Sequence, residues 1–134
     1  MATEIVIVDD QELMRLGFRM VLDSQPDLRV TGEAADGEEA VRVAMRLRPD
    51  IVLMDVRMPH LDGIQATERL VAADPDVRVL LVTTFDREDY RESGVRAGAW
   101  GLLLKDVPSD GLIAAVRAIA AGERLADAGH GVPC

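Results

Sequence analysis

Five short apolar runs, each followed by a stretch of helical periodicity, constrain this chain more than any other feature. The runs are "EIVIV" (4–8), "LRVTGEA" (28–34), "IVLM" (51–54), "VRVLLVT" (77–83) and "GLLL" (101–104). Most are rich in Val, Ile and Leu without clean alternation, the pattern of strands buried on both faces of a parallel sheet. Residues 11–23 place Leu13, Leu16, Gly17, Met20 and Val21 along one helical face, and residues 37–47 place Ala40, Val41, Ala44 and Leu47 likewise. Asp36 followed by Glu39 reads as a helix start of the capping-box kind. Asp62-Gly63 opens a third helix to about Ala73, Asp86 a fourth to about Arg96, and Ser109 a fifth to about Ala121, with Pro49, Pro75 and Pro108 at the joins. Strands alternating with helices predict an α/β fold: a five-stranded parallel sheet with five helices on both faces and right-handed crossovers.

At 134 residues, one domain with a substantial core is expected. Aromatics make up only 3%, so aliphatic side chains fill that core, and Met14, Met20, Met45 and Met54 read as part of it. The net charge of -9 opposes nucleic-acid binding by this chain alone. The single cysteine, Cys134, excludes an internal disulfide. With no secretory leader in view, a cytoplasmic setting is expected. No apolar run approaches the roughly 20 residues of a membrane span. His60 and His130 lack ligand partners at useful spacing and read as solvent-exposed. Arg15 and Arg19 share one side of the first helix, most simply as a solvated face, otherwise toward an acidic partner.

In open parallel sheets, function collects beyond the carboxyl ends of the strands. Here the strands end in Asp9-Asp10, Asp55, Thr83-Thr84 and Lys105. A parallel sheet brings these to one edge. Crowded carboxylates repel unless a hard cation sits among them, and few protein ligands plus water suit Mg²⁺. A lysine there pairs with an anion, and a threonine hydroxyl donates to one of its oxygens. A carboxylate can also attack phosphorus to give an acyl phosphate. Asp55 is therefore a candidate phosphoryl acceptor, with Thr83 and Lys105 beside it. Thr84 reads as structural.

The segments "IVDD", "PDIVLMDVRMPHLDG", "LLVTTFD" and "GAWGLLLKD" resemble the receiver domain of two-component response regulators. The resemblance covers about residues 3–122. "TTFD", "LLLKD" and "AVRAIAAGE" further resemble the NarL/LuxR-type subfamily. It implies the flavodoxin-like (βα)5 fold, with Asp55 phosphorylated by a partner histidine kinase in a Mg²⁺-dependent reaction. By the same resemblance Asp10 would bind the metal directly, Asp9 largely through water, and the Arg57 carbonyl would supply a backbone ligand. Thr83 would hydrogen-bond the phosphoryl group and Lys105 would pair with it. Pro59 fixes the following turn, and Gly63 lets the next helix pack closely. Arg57 and Phe85, each two residues beyond Asp55 and Thr83, are expected to flank the acyl phosphate and slow its hydrolysis. The subfamily also implies a homodimer formed on phosphorylation, through helices 1 and 5 or helix 4, strand 5 and helix 5. It implies DNA binding through a C-terminal helix-turn-helix domain that this chain does not contain. Residues 1–122 are thus expected as the receiver, and 123–134 as a disordered tail or linker start.

Receivers commonly carry Tyr or Phe where this chain has Leu102, and the nearest aromatic, Trp100, is expected on the same side of the strand. Three other functions compete. A phosphatase of the haloacid dehalogenase type wants a second Asp two residues past the nucleophile, where Arg57 stands. A flavodoxin-like mononucleotide binder needs a phosphate loop after strand 1, where "DDQELMR" is acidic. A degenerate receiver would act only as a phosphorylation-independent interaction module.

Overall fold

The computed structural model describes residues 2–84 and 88–125. Strands and helices alternate strictly: β1 (Thr3–Val8), α1 (Glu12–Asp23), β2 (Leu28–Ala34), α2 (Gly37–Leu47), β3 (Ile51–Asp55), α3 (Gly63–Ala73), β4 (Arg78–Thr83), α4 (Glu88–Ala97), β5 (Gly101–Leu104) and α5 (Ser109–Ala120). All pairings are parallel, in the order β2-β1-β3-β4-β5. The chain runs outward from β1 to β2, then returns to the far side of β1 with β3. The crevice between β1 and β3 is therefore the switch point, where the ends of neighbouring loops part.

Alternate residues of each strand feed two cores. Val6, Val8, Val52, Met54, Val79, Leu81 and Leu102 pack toward α2 and α3, whose Ala40, Val43, Ala66 and Leu70 close that face. Ile5, Ile7, Ile51, Leu53, Leu80, Val82 and Leu103 pack toward α1 and α5, against Phe18, Leu22, Leu112, Val116 and Ile119. Both faces are apolar, so the strands show no alternation. Full burial of each large aliphatic side chain contributes about 1.5–3 kcal/mol.

The helix starts follow local chemistry. Asp36 caps α2 by accepting the Glu39 N–H at 2.8 Å, while the Glu39 carboxylate accepts the Ala35 N–H at 2.7 Å. Asp62 and Gln65 form a reciprocal capping box on α3. Ser109 opens α5, as expected, after Pro108 at the cap position. The predicted start of the fourth helix at Asp86 lies outside the described residues. β4 begins at Arg78, one residue after the predicted Val77.

Three expectations are corrected. The buried face of α1 is not the Leu13–Leu16–Met20 stripe: these side chains are 81%, 51% and 65% exposed, so Met20 is not core filler. Phe18 and Leu22 are buried instead, with Met14 and Val21 packed beside them. Two apolar stripes overlap on this helix, and the one carrying the ring faces the sheet. Trp100 does not share a side with Leu102. It precedes β5, packs with the α1–α5 core, and is stacked by Arg78 at 4.7 Å and Arg124 at 4.4 Å. Finally, the start of the expected tail is packed. Leu125 is only 3% exposed, and its N–H donates to the Trp100 carbonyl at 2.5 Å. Residues 126–134, with His130 and Cys134, lie outside the described residues. His60 is exposed, as expected, on a left-handed backbone (φ 69°). Among the described residues, no helix is long and apolar enough to cross a membrane.

Candidate functional site

The parallel register carries the polar strand ends to one edge. Val8 pairs with Met54, so Asp9 and Asp55 leave β1 and β3 side by side. Asp55 pairs with Val82 and Thr83 with Leu104, which sets Thr83 and Lys105 at the adjoining strand ends. The Lys105 N–H donates to the Thr83 carbonyl at 2.8 Å. Thr83 is fully buried.

Lys105 answers how a buried strand can end on a carboxylate. Its Nζ lies 2.8 Å from Asp9 Oδ2 and 3.1 Å from Asp55 Oδ2. All three side chains are buried or nearly so, at 8%, 0% and 6% exposure. Asp9 Oδ1 also accepts the Gln11 N–H at 2.9 Å, which ties it to the start of α1. Gln11 holds the α1 cap position without a side-chain cap, so neither Asp9 nor Asp10 is an ordinary helix cap. Asp55 Oδ1 accepts a long contact of 3.4 Å from the Arg57 N–H. Asp10 is exposed and lines the groove beside the cluster.

Burial, then the charge of Asp9, raises the Asp55 pKa from 3.8 to about 6, against the opposing pull of Lys105. Burial also pulls the Lys105 ammonium down, but Asp9 and Asp55 together outweigh it and hold the pKa above the usual value. One oxygen each from Asp9, Asp10 and Asp55 lies within 4.8 Å of the others. That is close to the ~4.2 Å maximum separation of two ligands on one Mg²⁺. When ionised, three carboxylates against one ammonium leave a formal charge of minus two. An all-oxygen donor set with this surplus fits a hard divalent cation.

Gly63 holds this geometry from behind. Its N–H donates to the Val56 carbonyl at 2.8 Å, and a Cβ there would fall inside contact distance of the Asp55 carbonyl oxygen. The first turn of α3 thus lies against the backbone of the candidate acceptor. Arg15 is a part of the site missed in the sequence. It does not face an outside partner: Nη1 donates to the Asp9 carbonyl at 2.5 Å and Nε pairs with Glu33 at 3.1 Å. Arg19 pairs with the same Glu33 at 3.0 Å. Tyr90, Met58 and Ile64 were missed too; they line the groove that holds Asp10 and Arg57. Phe85 lies outside the described residues.

The model of the response regulator receiver domain matches residues 5–117. The chain is 46% identical over 121 residues to the transcriptional regulatory protein YxjL of Bacillus subtilis, covering 90% of this chain and 56% of that protein. It is 40% identical over 119 residues to the transcriptional regulatory protein DegU of Brevibacillus brevis, covering 89% and 50%. The chain therefore spans about half the length of the curated relatives it matches. Among solved structures, it resembles a LuxR-family two-component response regulator from Aurantimonas sp. SI85-9A1, with TM-score 0.90, 34% identity and coverage of 93% and 89%. It also resembles the NarL signal receiver domain from Mycobacterium tuberculosis, with TM-score 0.88, 33% identity and coverage of 91% and 98%.

Proposed function

The chain belongs to the response regulator receiver domain family, and we propose that Asp55 is the side chain that accepts a phosphoryl group from a partner histidine kinase. The observation that carries this is the Lys105 ammonium held between Asp9 and Asp55 at the switch-point edge. It lets a buried carboxylate persist as an anion beside an open groove. The domain is a signalling element that takes up one phosphoryl group, not an enzyme of continuous turnover.

An ionised Asp55 oxygen attacks phosphorus, the bond from phosphorus to the donor nitrogen breaks, and an acyl phosphate forms. Lys105 shifts its pairing toward the new phosphoryl oxygens, and the Thr83 hydroxyl donates to one of them. Asp10, Asp9 through water, Asp55 and the Arg57 carbonyl would hold Mg²⁺, which when bound neutralises charge on the phosphoryl oxygens. Arg57 screens the acyl phosphate from water and slows its loss. The Thr83 and Lys105 contacts differ between the free and phosphorylated states. That difference supplies the free energy to shift the surface around α4 and β5.

In the whole protein, this shift drives homodimer formation and acts on transcription through a C-terminal DNA-binding domain, in the cytoplasm. The names of the curated relatives support a transcriptional output. The convergence of Asp9, Asp10, Asp55 and Lys105 weighs against a degenerate interaction module. The test is incubation with acetyl phosphate, with and without Mg²⁺, reading intact mass beside an Asp55→Asn variant. A Mg²⁺-dependent, hydroxylamine-sensitive adduct absent from the variant is expected, with size measurement before and after to read dimerisation. A folded protein that forms no adduct and binds no Mg²⁺ would refute the proposal.

A further inference from the structure

A groove of about 470 Å³ opens at the acceptor edge. It reaches Asp10, whose carboxylate stands within 4.8 Å of that of Asp55. Its polar lining is Asp10, Asp62 and Arg57; its apolar wall includes Met58, Ile64 and Tyr90. Tyr90 stands in the first turn of α4, half-buried against the core beneath α2 and α3. It is the aromatic among the described residues of this groove.

We propose that Tyr90 is a specificity-determining residue of the acceptor reaction, its ring seating a planar, cationic nitrogen heterocycle as the leaving group of the phosphoryl donor. This rests on Asp55 being the acceptor. A phosphorylated imidazole is a flat aromatic ring, and in the form that reacts a proton on its distal nitrogen makes it positively charged. Such a ring is attracted by the face of a tyrosine and stacks on apolar walls. Asp62 adds a carboxylate on the same groove. When the Asp55 oxygen forms its bond to phosphorus, the phosphorus–nitrogen bond breaks and its electron pair stays on nitrogen. The ring leaves as neutral imidazole, because the distal nitrogen already holds its proton. An acyl phosphate donor is different: its phosphorus–oxygen bond breaks and a carboxylate anion leaves. That anion gains nothing from a π face. Arg57 attracts it, while Asp62 repels it.

The experiment compares phosphoimidazole with acetyl phosphate on the same chain with Mg²⁺, following adduct formation by intact mass over time. The variants are Tyr90→Phe, which keeps the ring, and Tyr90→Leu and Tyr90→Ala, which remove it. Tyr90→Leu keeps the wall apolar should Tyr90→Ala disturb α4. The expected result is a loss of about three- to tenfold in the phosphoimidazole rate for the Leu and Ala variants. The acetyl phosphate rate stays within about twofold, and Tyr90→Phe retains the wild-type preference. Equal losses with both donors, or no loss with either, would overturn the role of Tyr90 while leaving Asp55 as acceptor. Failure of the wild type to take a phosphoryl group from either donor would overturn both.

Discussion

Replacing Asp55 by Asn is expected to stabilise the metal-free protein, although it removes a buried partner of Lys105. The folded environment raises the Asp55 pKa from 3.8 to about 6. At about 1.36 kcal/mol per unit, the ionised carboxylate therefore costs the fold up to about 3 kcal/mol at pH 7.5. The amide removes that cost and can still accept from the Arg57 N–H. Lys105 keeps Asp9 at 2.8 Å. After the loss of its second carboxylate, a net gain of about 1–3 kcal/mol remains, or roughly 3–10 °C in Tm for a domain of this size. The sign sets the pH dependence. The folded pKa lies above the unfolded value, so the folded wild type holds a proton that the unfolded chain releases. The penalty is absent below pH ~4, grows through pH 4–6 and is complete above it; about half remains at pH 5. Thermal and urea unfolding in EDTA, from pH 7.5 down to 5, should show Asp55→Asn the more stable, by a margin that shrinks toward acid. Mg²⁺ should narrow the margin by stabilising the wild type. A less stable variant at pH 7.5, or a margin that does not move with pH, would refute the account of Asp55 as a strained anion.

Other positions separate packing from site chemistry. Gly63→Ala pushes a methyl group into the Asp55 carbonyl; urea unfolding should show a loss of about 1–3 kcal/mol, with slower adduct formation because the acceptor strand shifts. Leu125→Ala should cost about 2–5 kcal/mol, since Leu125 is buried between the sheet edge and α5. Trp100 is the single tryptophan, and in the same variant its emission should move red as the Arg124 stack loosens. On α1, Phe18→Ala should cost about 3–5 kcal/mol, whereas Leu13→Ala, at a side chain 81% exposed, should change stability by less than about 0.5 kcal/mol. Equal effects at the two positions would mean that the helix is rotated from the orientation described.

What could be seen in the sequence follows from which constraints are local. A charged residue at the end of an otherwise apolar strand is conspicuous, because burying it demands a partner. Asp9, Asp55 and Lys105 could therefore be grouped before any geometry was known; parallel register did the rest. The helix caps at Asp36 and Asp62 rest on neighbours three residues away, and they too stood in plain view. The errors fall where the deciding partner is distant. On α1 two apolar stripes compete, and the surface of β1, β2 and α5 selects Phe18 and Leu22 over Leu13 and Met20. Trp100 obeys no strand period because the strand begins after it. Leu125 is one apolar residue beyond a glycine, without a pattern to betray it. Its signal lies elsewhere in the chain: Gly101 has no Cβ, and one built there would meet the Leu125 Cβ at 2.9 Å. Tyr90 is the same kind of case. Nothing near it in the chain marks a groove, which forms only when α4 is laid beside the loop after β3. The strand ends declare which groups can react. The walls that select among donors come from helices whose rotation is set by the folded core, and so they are the part that structure adds.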